Sequence, residues 1–415
     1  MTSVYYHIQG HWLFLRDPRK ERKIKMLTSI AIIILLGLFA GGIFKKIHLP
    51  YIIGMLLVGI LVGPYVLNVL DSTILDISGQ LRKMALIIIL LKAGLSLNID
   101  DLKRVGRPAV MMCFIPATLE ILAFVIFAPS ILHISIVEAG IIGAVMGAVS
   151  PAVIVPRMSK MIDQGIGTKK GIPQMIIAGS SADDVYVIVI FSALLSVEKG
   201  GHVSLLTFAN VPVSIVLGIL LGIGVGYVLV KIFTRFHMRD TVKALIMLSI
   251  SFLFVALEDY LDGIVPVSGL LGVMSMGIVI NFQYQKLSTR IIGKFSKLWV
   301  GAEIFLFVLV GATVNISYVF KAGIGVLLLL ALGLIFRLIG TYICVVKTEL
   351  NRKERIFCMI SQIPKATVQA AIGGVPLAMG LACGELVLTM AVISILITAP
   401  LGAFAIDHTY KKFLE

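Results

Sequence analysis

Apolar runs of about twenty residues follow one another along most of this 415-residue chain, and short charged connectors separate them. Hydrophobic residues make up 59% of the chain and charged residues only 14%, whereas soluble domains carry about a quarter charged residues. In a bilayer, backbone amides must be satisfied within a helix or a closed barrel. The runs are longer than barrel strands and do not alternate in polarity. The sequence therefore predicts an all-α polytopic membrane protein.

Glycine, proline and charged residues divide the apolar part of the chain into thirteen segments, each predicted to be a transmembrane helix. The expected ranges are 26–46, 50–70, 83–98, 108–129, 135–157, 172–197, 209–233, 241–260, 262–282, 298–319, 324–346, 355–377 and 386–406. A multi-pass protein of the cell membrane is the expected result.

The Lys and Arg residues of the connectors predict the orientation of the chain. Alternate connectors carry 23 of them on one side and four on the other, so the first side is predicted to be cytoplasmic, together with the C-terminus. Thirteen crossings then predict an external N-terminus. The basic tail at 1–25 carries six Lys and Arg and conflicts with that placement, and an interfacial segment folded back on the membrane is the alternative.

The formal net charge of +14 does not predict a nucleic-acid partner, because the basic residues lie where membrane topology requires them. The four cysteines are scattered through apolar segments without a Cys-x-x-Cys pair. Neither a zinc site nor a disulfide framework is predicted, and no cofactor is expected. The composition implies the lipid bilayer as the main partner.

An internal repeat appears when the chain is shifted by 217 residues. Gly94 of LLKAGLSLN then falls on Gly311 of FVLVGATVN, and the proline-bearing segments near Ser150 and Thr367 superpose. Six helices, one connector helix and six more place the second unit upside down relative to the first. The sequence thus predicts two inverted repeats of six helices, which is typical of alternating-access transporters.

Two adjacent acids, Asp183 and Asp184, lie in the middle of the predicted sixth helix, within GSSADDVYVIVI. An intramembrane charge costs several kcal/mol unless it is paired, hydrated or protonated. Both acids are expected to border one aqueous funnel, where a carboxyl group holds either a proton or a small hard cation with oxygen ligands. The alternative is a structural pair that distant Lys or Arg residues satisfy.

Two predicted helices are interrupted by proline, at Ser150-Pro151 in the fifth and at Pro364-Lys365 in the twelfth. Proline removes an amide donor and frees carbonyl groups, which face an ion where the backbone borders a cavity. Broken helices in corresponding halves point to a binding site, although a simple kink is the alternative for each. Lys365 is expected to neutralise the half-helix ends or, alternatively, to snorkel to the cytoplasmic interface.

Glu120 and Arg337 lie 217 residues apart, so they occupy equivalent places in the two units and are predicted to form an ion pair. Whether that pair is structural or gates the site stays open at this point. Lys92 is expected to snorkel. Rim positions on the external side are expected for Glu258, Asp259 and Glu303.

The segments GSSADDVY, AVSPAVIV and IPKATVQAAIG resemble the monovalent cation/proton antiporter superfamily, and IPKATVQA resembles its NHA-type sodium/proton antiporters. The resemblance covers all thirteen segments. It implies a homodimer with an interface domain of helices 1–3 (26–107) and 8–10 (241–320). A moving core would comprise helices 4–6 (108–197) and 11–13 (321–407), with two broken helices crossing in it. Helix 7 would be a linker (198–240), and 408–415 a C-terminal tail.

The same resemblance implies the roles of the site residues. Asp184 would carry the ion and the proton. In some members a serine four residues before the carrier acid contributes an oxygen, and the corresponding residue here is Ser180. An aspartate at Asp183 is typical of electrogenic members, and an arginine at Arg337 is typical of electroneutral ones. Because Arg337 is expected to be held by Glu120, one-for-one exchange is favoured.

These residues together predict secondary antiport of Na+ or Li+ against H+, with Na+ bound at Asp184 and Asp183, and no enzymatic activity. K+/H+ exchange is the alternative, and an organic-anion symporter is a weaker one, since two acids would repel an anion. An intramembrane aspartyl protease would need carboxyl groups on different helices, and no Gly-x-Gly-Asp segment occurs in the apolar runs. A receptor without transport is the remaining possibility.

Overall fold

The computed structural model describes residues 7–8, 11–12, 18–47, 49–96, 106–199, 205–261, 265 and 267–415. Helices form nearly all of this part of the chain, and a short antiparallel ladder pairs residues 7–8 with 11–12. The helices are α1 (Pro18–Lys46), α2 (Tyr51–Val62), α3 (Ser72–Asp76), α4 (Ser78–Ser96), α5 (Arg107–Met112), α6 (Ile115–Leu132), α7 (Ile136–Met146), α8 (Pro151–Asp163), α9 (Ile172–Lys199), α10 (Leu205–Arg235), α11 (Asp240–Leu261), α12 (Gly269–Gln283), α13 (Gln285–Ala312), α14 (Ile316–Val345), α15 (Arg352–Ser361), α16 (Thr367–Ile372), α17 (Val375–Ala378) and α18 (Gly384–Leu414).

Eight helical segments of the described chain are long and apolar enough to cross a membrane. They are Lys25–Lys46, Arg107–Leu132, Ile136–Asp163, Val213–Arg235, Asp240–Leu261, Gln285–Ala312, Gly323–Val345 and Gly384–Leu414. Shorter apolar helices cover Tyr51–Val62, Tyr186–Glu198, Gly269–Gln283 and Thr367–Ala378. The prediction of a helical, multi-pass membrane protein is thereby confirmed, whereas the count of thirteen stays a prediction.

Both predicted tails differ from the structure. Of the basic tail at 1–25, residues 18–25 belong to α1, while 1–6, 9–10 and 13–17 lie outside the described residues. The C-terminal tail at 408–415 is helical as far as Leu414, because α18 continues as one helix of 31 residues. Charged residues therefore do not mark helix ends here, since a helix can leave the bilayer and continue in water.

Two predicted boundaries were wrong for local reasons. The segment at 50–70 ends as a helix at Val62, because Gly63 is extended and Pro64 follows it. The segment at 298–319 begins at Gln285, thirteen residues earlier than predicted. The basic residues of that stretch recur every three or four positions and so share one face of α13, namely Lys286, Arg290, Lys294 and Lys297.

Both predicted interruptions are present. The segment at 135–157 is divided into α7 and α8, with residues 147–150 between them. The segment at 355–377 is divided into α15, α16 and α17, with residues 362–366 forming the first gap. Pro151 is the first residue of α8. Proline has no amide N–H, but the first amide of a helix has no partner within the helix, so proline is well suited to begin one.

Glycine contacts bring α14 close to α6. A Cβ built on Gly340 would lie 2.8 Å from Pro116 Cα, and one built on Gly333 would lie 2.6 Å from the Phe124 ring. The two helices therefore approach closely on either side of Arg337, which faces α6 at the level of Glu120.

Candidate ion-binding site

The two broken helices touch at their gaps. The Ser150 amide donates to the Pro364 carbonyl oxygen at 2.8 Å. The hydroxyl oxygens of Ser150 and Thr367 lie 3.5 Å apart, and these residues are 217 positions apart in the chain. The gap before α8 and the gap before α16 are thus joined by backbone and side-chain contacts.

The carbonyl end of α7 is covered by three polar side chains from the other half of the chain. Gln369 Nε2 donates to the carbonyl oxygens of Val145 and Ala148 at 3.0 and 2.9 Å. Lys365 Nζ donates to Met146 O, and Arg337 Nη1 donates to Gly147 O. The last carbonyls of a helix lack partners and carry a partial negative charge, so cations and amide donors stabilise this end.

Four fully buried charged residues surround this helix end. Arg337 Nη1 lies 3.2 Å from Glu120 Oε2, and Arg337 Nη2 lies 2.6 Å from Asp183 Oδ2. Lys365 Nζ lies 2.7 Å from Glu120 Oε1. The cluster contains two basic and two acidic residues, and all four side chains are 0% exposed. We call Glu120, Asp183, Arg337 and Lys365 the buried charge cluster.

The ion pair predicted between Glu120 and Arg337 is present in this cluster. Lys365 contacts the half-helix end, and the alternative that it snorkels to the interface is wrong because its side chain is fully buried. The sequence did not indicate the contact between Arg337 and Asp183. It also did not indicate Gln362, whose carbonyl and side-chain oxygens each accept from Arg337 at 3.0 Å.

The two adjacent acids have different surroundings, and an aqueous funnel shared by both stays a prediction. Asp183 Oδ2 accepts from Arg337 and also from the Val149 amide at 3.0 Å, which directs the carboxyl group toward the gap after α7. Neighbouring residues on a helix point about 100° apart. Asp184 therefore faces another side of α9, and the structural alternative describes Asp183 only.

Asp184 lines a small cavity of about 20 Å³ between α9, α16, α4 and α12. Thr367, Leu86 and Ala371 line the same cavity. Oδ1 of Asp184 is buried without a hydrogen-bond partner among the described residues. A space of this size holds about one water molecule. Ser180 lies one turn earlier and donates to Ile177 O at 3.1 Å, so its contribution of an oxygen to an ion stays a prediction.

A second, larger cavity of about 1150 Å³ shares Leu86 and Ala371 with the first, and we call it the outer cavity. Lys83 and Asp259 form an ion pair of 2.9 Å at its wall. Glu258 lines the same cavity and accepts from the Gly269 amide at 2.8 Å.

Glu303 does not lie at a rim, and that expectation is wrong. Its side chain is 5% exposed, and Tyr51 Oη donates to its Oε1 at 2.6 Å. Because α13 begins at Gln285, Glu303 lies well inside the helix rather than close to its first residue. Lys92 is half-buried on α4.

Comparison with known proteins identifies the family. The family model described as the transmembrane sodium/hydrogen exchanger matches residues 30–412. Sodium/hydrogen exchanger 9B2 of Mus musculus is 30% identical over 407 residues, covering 94% of this chain and 74% of the mouse protein. The corresponding protein of Homo sapiens is 32% identical over 382 residues, covering 88% of this chain and 70% of the human protein.

A solved structure has the same fold. The sodium proton antiporter MjNhaP1 from Methanocaldococcus jannaschii at pH 8 superposes with a TM-score of 0.82 at 21% identity, over 95% of this chain and 99% of that chain. The resemblance to cation/proton antiporters drawn from three segments of the sequence is confirmed. The chain therefore belongs to the sodium/hydrogen exchanger family of membrane transporters.

Proposed function

We propose that the chain exchanges Na+ or Li+ for H+ by binding either a cation or a proton at Asp184. The observation that carries the proposal is the position of this carboxyl group. Asp184 lines a cavity beside the crossing of the two broken helices, and its Oδ1 has no partner among the described residues. The adjacent Asp183 is engaged by Arg337 at 2.6 Å.

The balance of charge around Asp184 supports competition between the two ions. The buried charge cluster holds two acidic and two basic residues, so Asp184 supplies the one carboxylate that remains to be compensated. A proton or a Na+ ion neutralises it equally well. An empty, charged site is costly to carry through an apolar barrier, which couples the movement of the two ions.

The oxygen atoms around the cavity suit a small hard cation. Asp184 and Thr367 both line it, and the Ser150 hydroxyl lies 3.5 Å from that of Thr367. Oxygen ligands are preferred by hard cations, and the number and spacing of the ligands determine which cation fits. Asp183 would contribute to the same ion only by leaving Arg337, so we assign Na+ chiefly to Asp184.

One-for-one exchange follows from how tightly the two cations of the cluster are held. Arg337 donates to Asp183, Glu120, Gln362 and a carbonyl of the α7 end. Lys365 donates to Glu120 and to another carbonyl of that end. In the proposed cycle both cations keep these contacts and their charge, which leaves a single proton at Asp184.

Movement of a core against a dimeric scaffold is the proposed mode of alternating access. Ion pairs tie the two predicted parts of the core together, since Arg157 lies 3.0 Å from Asp407 and Lys170 lies 2.8 Å from Glu354. The interface domain would comprise 26–107 and 241–320, the core 108–197 and 321–407, and the linker 198–240. A homodimer through the interface domain completes the proposal.

Two inverted repeats are also proposed, because contacts in the structure follow the shift of 217 residues. Residues 217 apart meet at Glu120–Arg337 and at Ser150–Thr367. A shift of 217 residues also converts the pair Gly94 and Gly277 into the pair Gly311 and Ile60, and both pairs are in contact. A Cβ on Gly94 would lie 3.3 Å from Gly277 Cα, and one on Gly311 would lie 3.0 Å from the Ile60 amide nitrogen. Such reciprocal contacts are expected of two units related by a pseudo-two-fold axis.

The charges of the connectors support the orientation in which the C-terminus is cytoplasmic, within the cell membrane. The large cavity, with Lys83 at its wall, then opens to the outside. The external placement of the N-terminus remains part of this proposal.

The experiment that tests the function uses everted membrane vesicles with a pH-sensitive dye, to which Na+, Li+ or K+ is added in turn. Na+ and Li+ are expected to release protons from acidified vesicles, and a response to K+ alone would favour K+/H+ exchange instead. Acidification of the bath should raise the half-saturating Na+ concentration without lowering the maximal rate, because one carboxyl group receives both ions. Asp184→Asn should abolish the response.

The matched control is Asp76→Asn, an acid-to-amide change at an exposed residue of the outer cavity. It should retain the response of the wild type. Full Na+-dependent proton release in Asp184→Asn would overturn the proposal.

A further inference from the structure

A buried arginine outside the ion-binding site has no carboxylate partner in the part of the chain that the structure describes. Arg82 lies on α4, is 6% exposed and lines the outer cavity. Its Nε donates to Ser78 O at 3.4 Å, a long and weak bond, and its Nη1 has no hydrogen-bond partner among the described residues. Buried guanidinium groups are normally paired, since an uncompensated buried charge is strongly destabilising.

The space that the guanidinium occupies is provided by a glycine of the opposite wall. A Cβ built on Gly374 would lie 1.9 Å from Arg82 Nη1. The backbone of Gly374 has φ −91°, which any residue adopts, so no local strain explains the glycine. The absence of a side chain at this position keeps the guanidinium group at the cavity wall.

The carboxylates of the outer cavity are engaged elsewhere or exposed to water. Asp259 pairs with Lys83 at 2.9 Å, and Glu258 accepts from the Gly269 amide at 2.8 Å. Asp76 lines the cavity as an exposed residue. Arg82 therefore lines the cavity without an ion pair among the described residues, and its Nη1 is buried against Gly374.

We propose that a small monovalent anion, chloride in the extracellular medium, binds at Arg82 in the outer cavity. The guanidinium group offers a fixed set of N–H donors, and Arg82 lines the cavity without a carboxylate partner among the described residues. Binding compensates a buried charge that the described chain leaves uncompensated. It requires no movement of the buried charge cluster.

The anion would also affect entry of Na+, a consequence that rests on the proposed function. Arg82 lies one helical turn outward from Leu86, the residue that separates the outer cavity from that of Asp184. A guanidinium charge beside this boundary disfavours a cation that approaches from the outer cavity. A bound chloride removes this repulsion, so Na+ uptake from the outer side should be severalfold faster in chloride.

The binding is tested without transport, on the purified full-length protein. The apparent melting temperature is compared in sodium chloride, sodium bromide and sodium gluconate at equal Na+ concentration and pH. The wild type is expected to melt several degrees higher in the halides, with a saturable dependence on their concentration. Equal melting in chloride and gluconate would overturn the proposal.

Three variants locate the effect. Arg82→Gln should abolish the halide shift, and Lys83→Gln, the adjacent control, should retain it. Gly374→Ala displaces the guanidinium without changing the net charge and should also reduce the shift, which keeps the test valid if Arg82→Gln does not fold. An unchanged halide shift in either Arg82→Gln or Gly374→Ala would contradict the assignment.

A bromide soak gives a direct position. Anomalous density beside Arg82 is expected, and bromide found only at other positions would overturn the site. Asp184→Asn separates this proposal from the proposed function, because it should lose transport and keep the halide shift. If halides raise the melting temperature but Na+ transport is equally fast in chloride and gluconate, the effect on Na+ entry is rejected and the binding site is retained.

Discussion

Arg337 Nη2 lies 2.6 Å from Asp183 Oδ2, with both side chains fully buried. This pair gives the two adjacent acids of α9 different surroundings. Asp183 belongs to a network that holds the ends of the broken helices, and Asp184 lines a cavity. Oδ1 of each acid has no hydrogen-bond partner among the described residues. The predictions below follow from that division.

Asp183→Asn should destabilise the protein more than Asp184→Asn. Removing one partner of a buried ion pair costs about 3 kcal/mol or more, because the other charge stays buried. Asp184 forms no ion pair among the described residues, so its amide variant should melt near the wild type while losing transport. Melting temperatures of the purified variants and the dye response measure the two effects. Equal melting of the two variants would contradict the division.

Lys365→Ala should lower the melting temperature and reduce transport, because it removes the contact of 2.7 Å with Glu120 and exposes the α7 end. Glu120→Gln should have a similar effect. The double variant should lose less than the sum of the two single variants, with a coupling of about 1 kcal/mol or more. Additive losses in this double-mutant cycle would show that the two side chains do not interact.

Thr367→Val should raise the half-saturating Na+ concentration about tenfold, because loss of a hydrogen-bonding oxygen next to a charge costs about 1.5 kcal/mol. Thr367→Ser keeps the oxygen and serves as the control. Initial rates of the dye response at graded Na+ concentrations provide the measurement. A wild-type Na+ dependence in Thr367→Val would remove this hydroxyl from the site.

Collapse of the membrane voltage should leave the exchange rate unchanged at symmetric pH, because one H+ is exchanged for one Na+. The measurement compares Na+ uptake into proteoliposomes with and without a K+ ionophore, at equal K+ on both sides. A rate that rises when the ionophore is added would indicate net charge movement and a second proton.

Gly94→Ala should destabilise the scaffold, since its Cβ would lie 2.4 Å from the Met274 carbonyl oxygen of α12 and would force two backbones apart. Gly301→Ala is the control, because a Cβ there meets nothing within 4 Å and alanine favours a helix by up to about 1 kcal/mol. Melting temperatures should fall for the first variant and stay or rise for the second. The reverse order would contradict the packing of α4 on α12.

Much of the architecture was predictable because the signals are local. Apolar length predicted the helical membrane protein, and the prolines at 151 and 364 predicted the interruptions. The shift of 217 residues predicted that Glu120 and Arg337 meet, since equivalent positions near a pseudo-two-fold axis approach one another. These inferences need only composition, spacing and symmetry.

The contacts that distinguish the two acids were not predictable in the same way. Helical geometry states that Asp183 and Asp184 point in different directions, but the partner of each depends on which helices pack against α9. Gln362 and Gln369 carry no local signal of their contacts with Arg337 and the α7 end. The start of α13 was missed because its basic face resembles a connector, and that error placed Glu303 at a rim.

Among the described residues, Leu86 and Ala371 line both the outer cavity and the cavity of Asp184. They form the boundary between the two cavities. Leu86 is 3% exposed and Ala371 has no side-chain rotamer to change, so passage between the two cavities requires a rearrangement of buried side chains. In the proposed cycle the size of the Leu86 side chain therefore determines how readily an ion passes from one cavity to the other, so a smaller residue there should raise leakage.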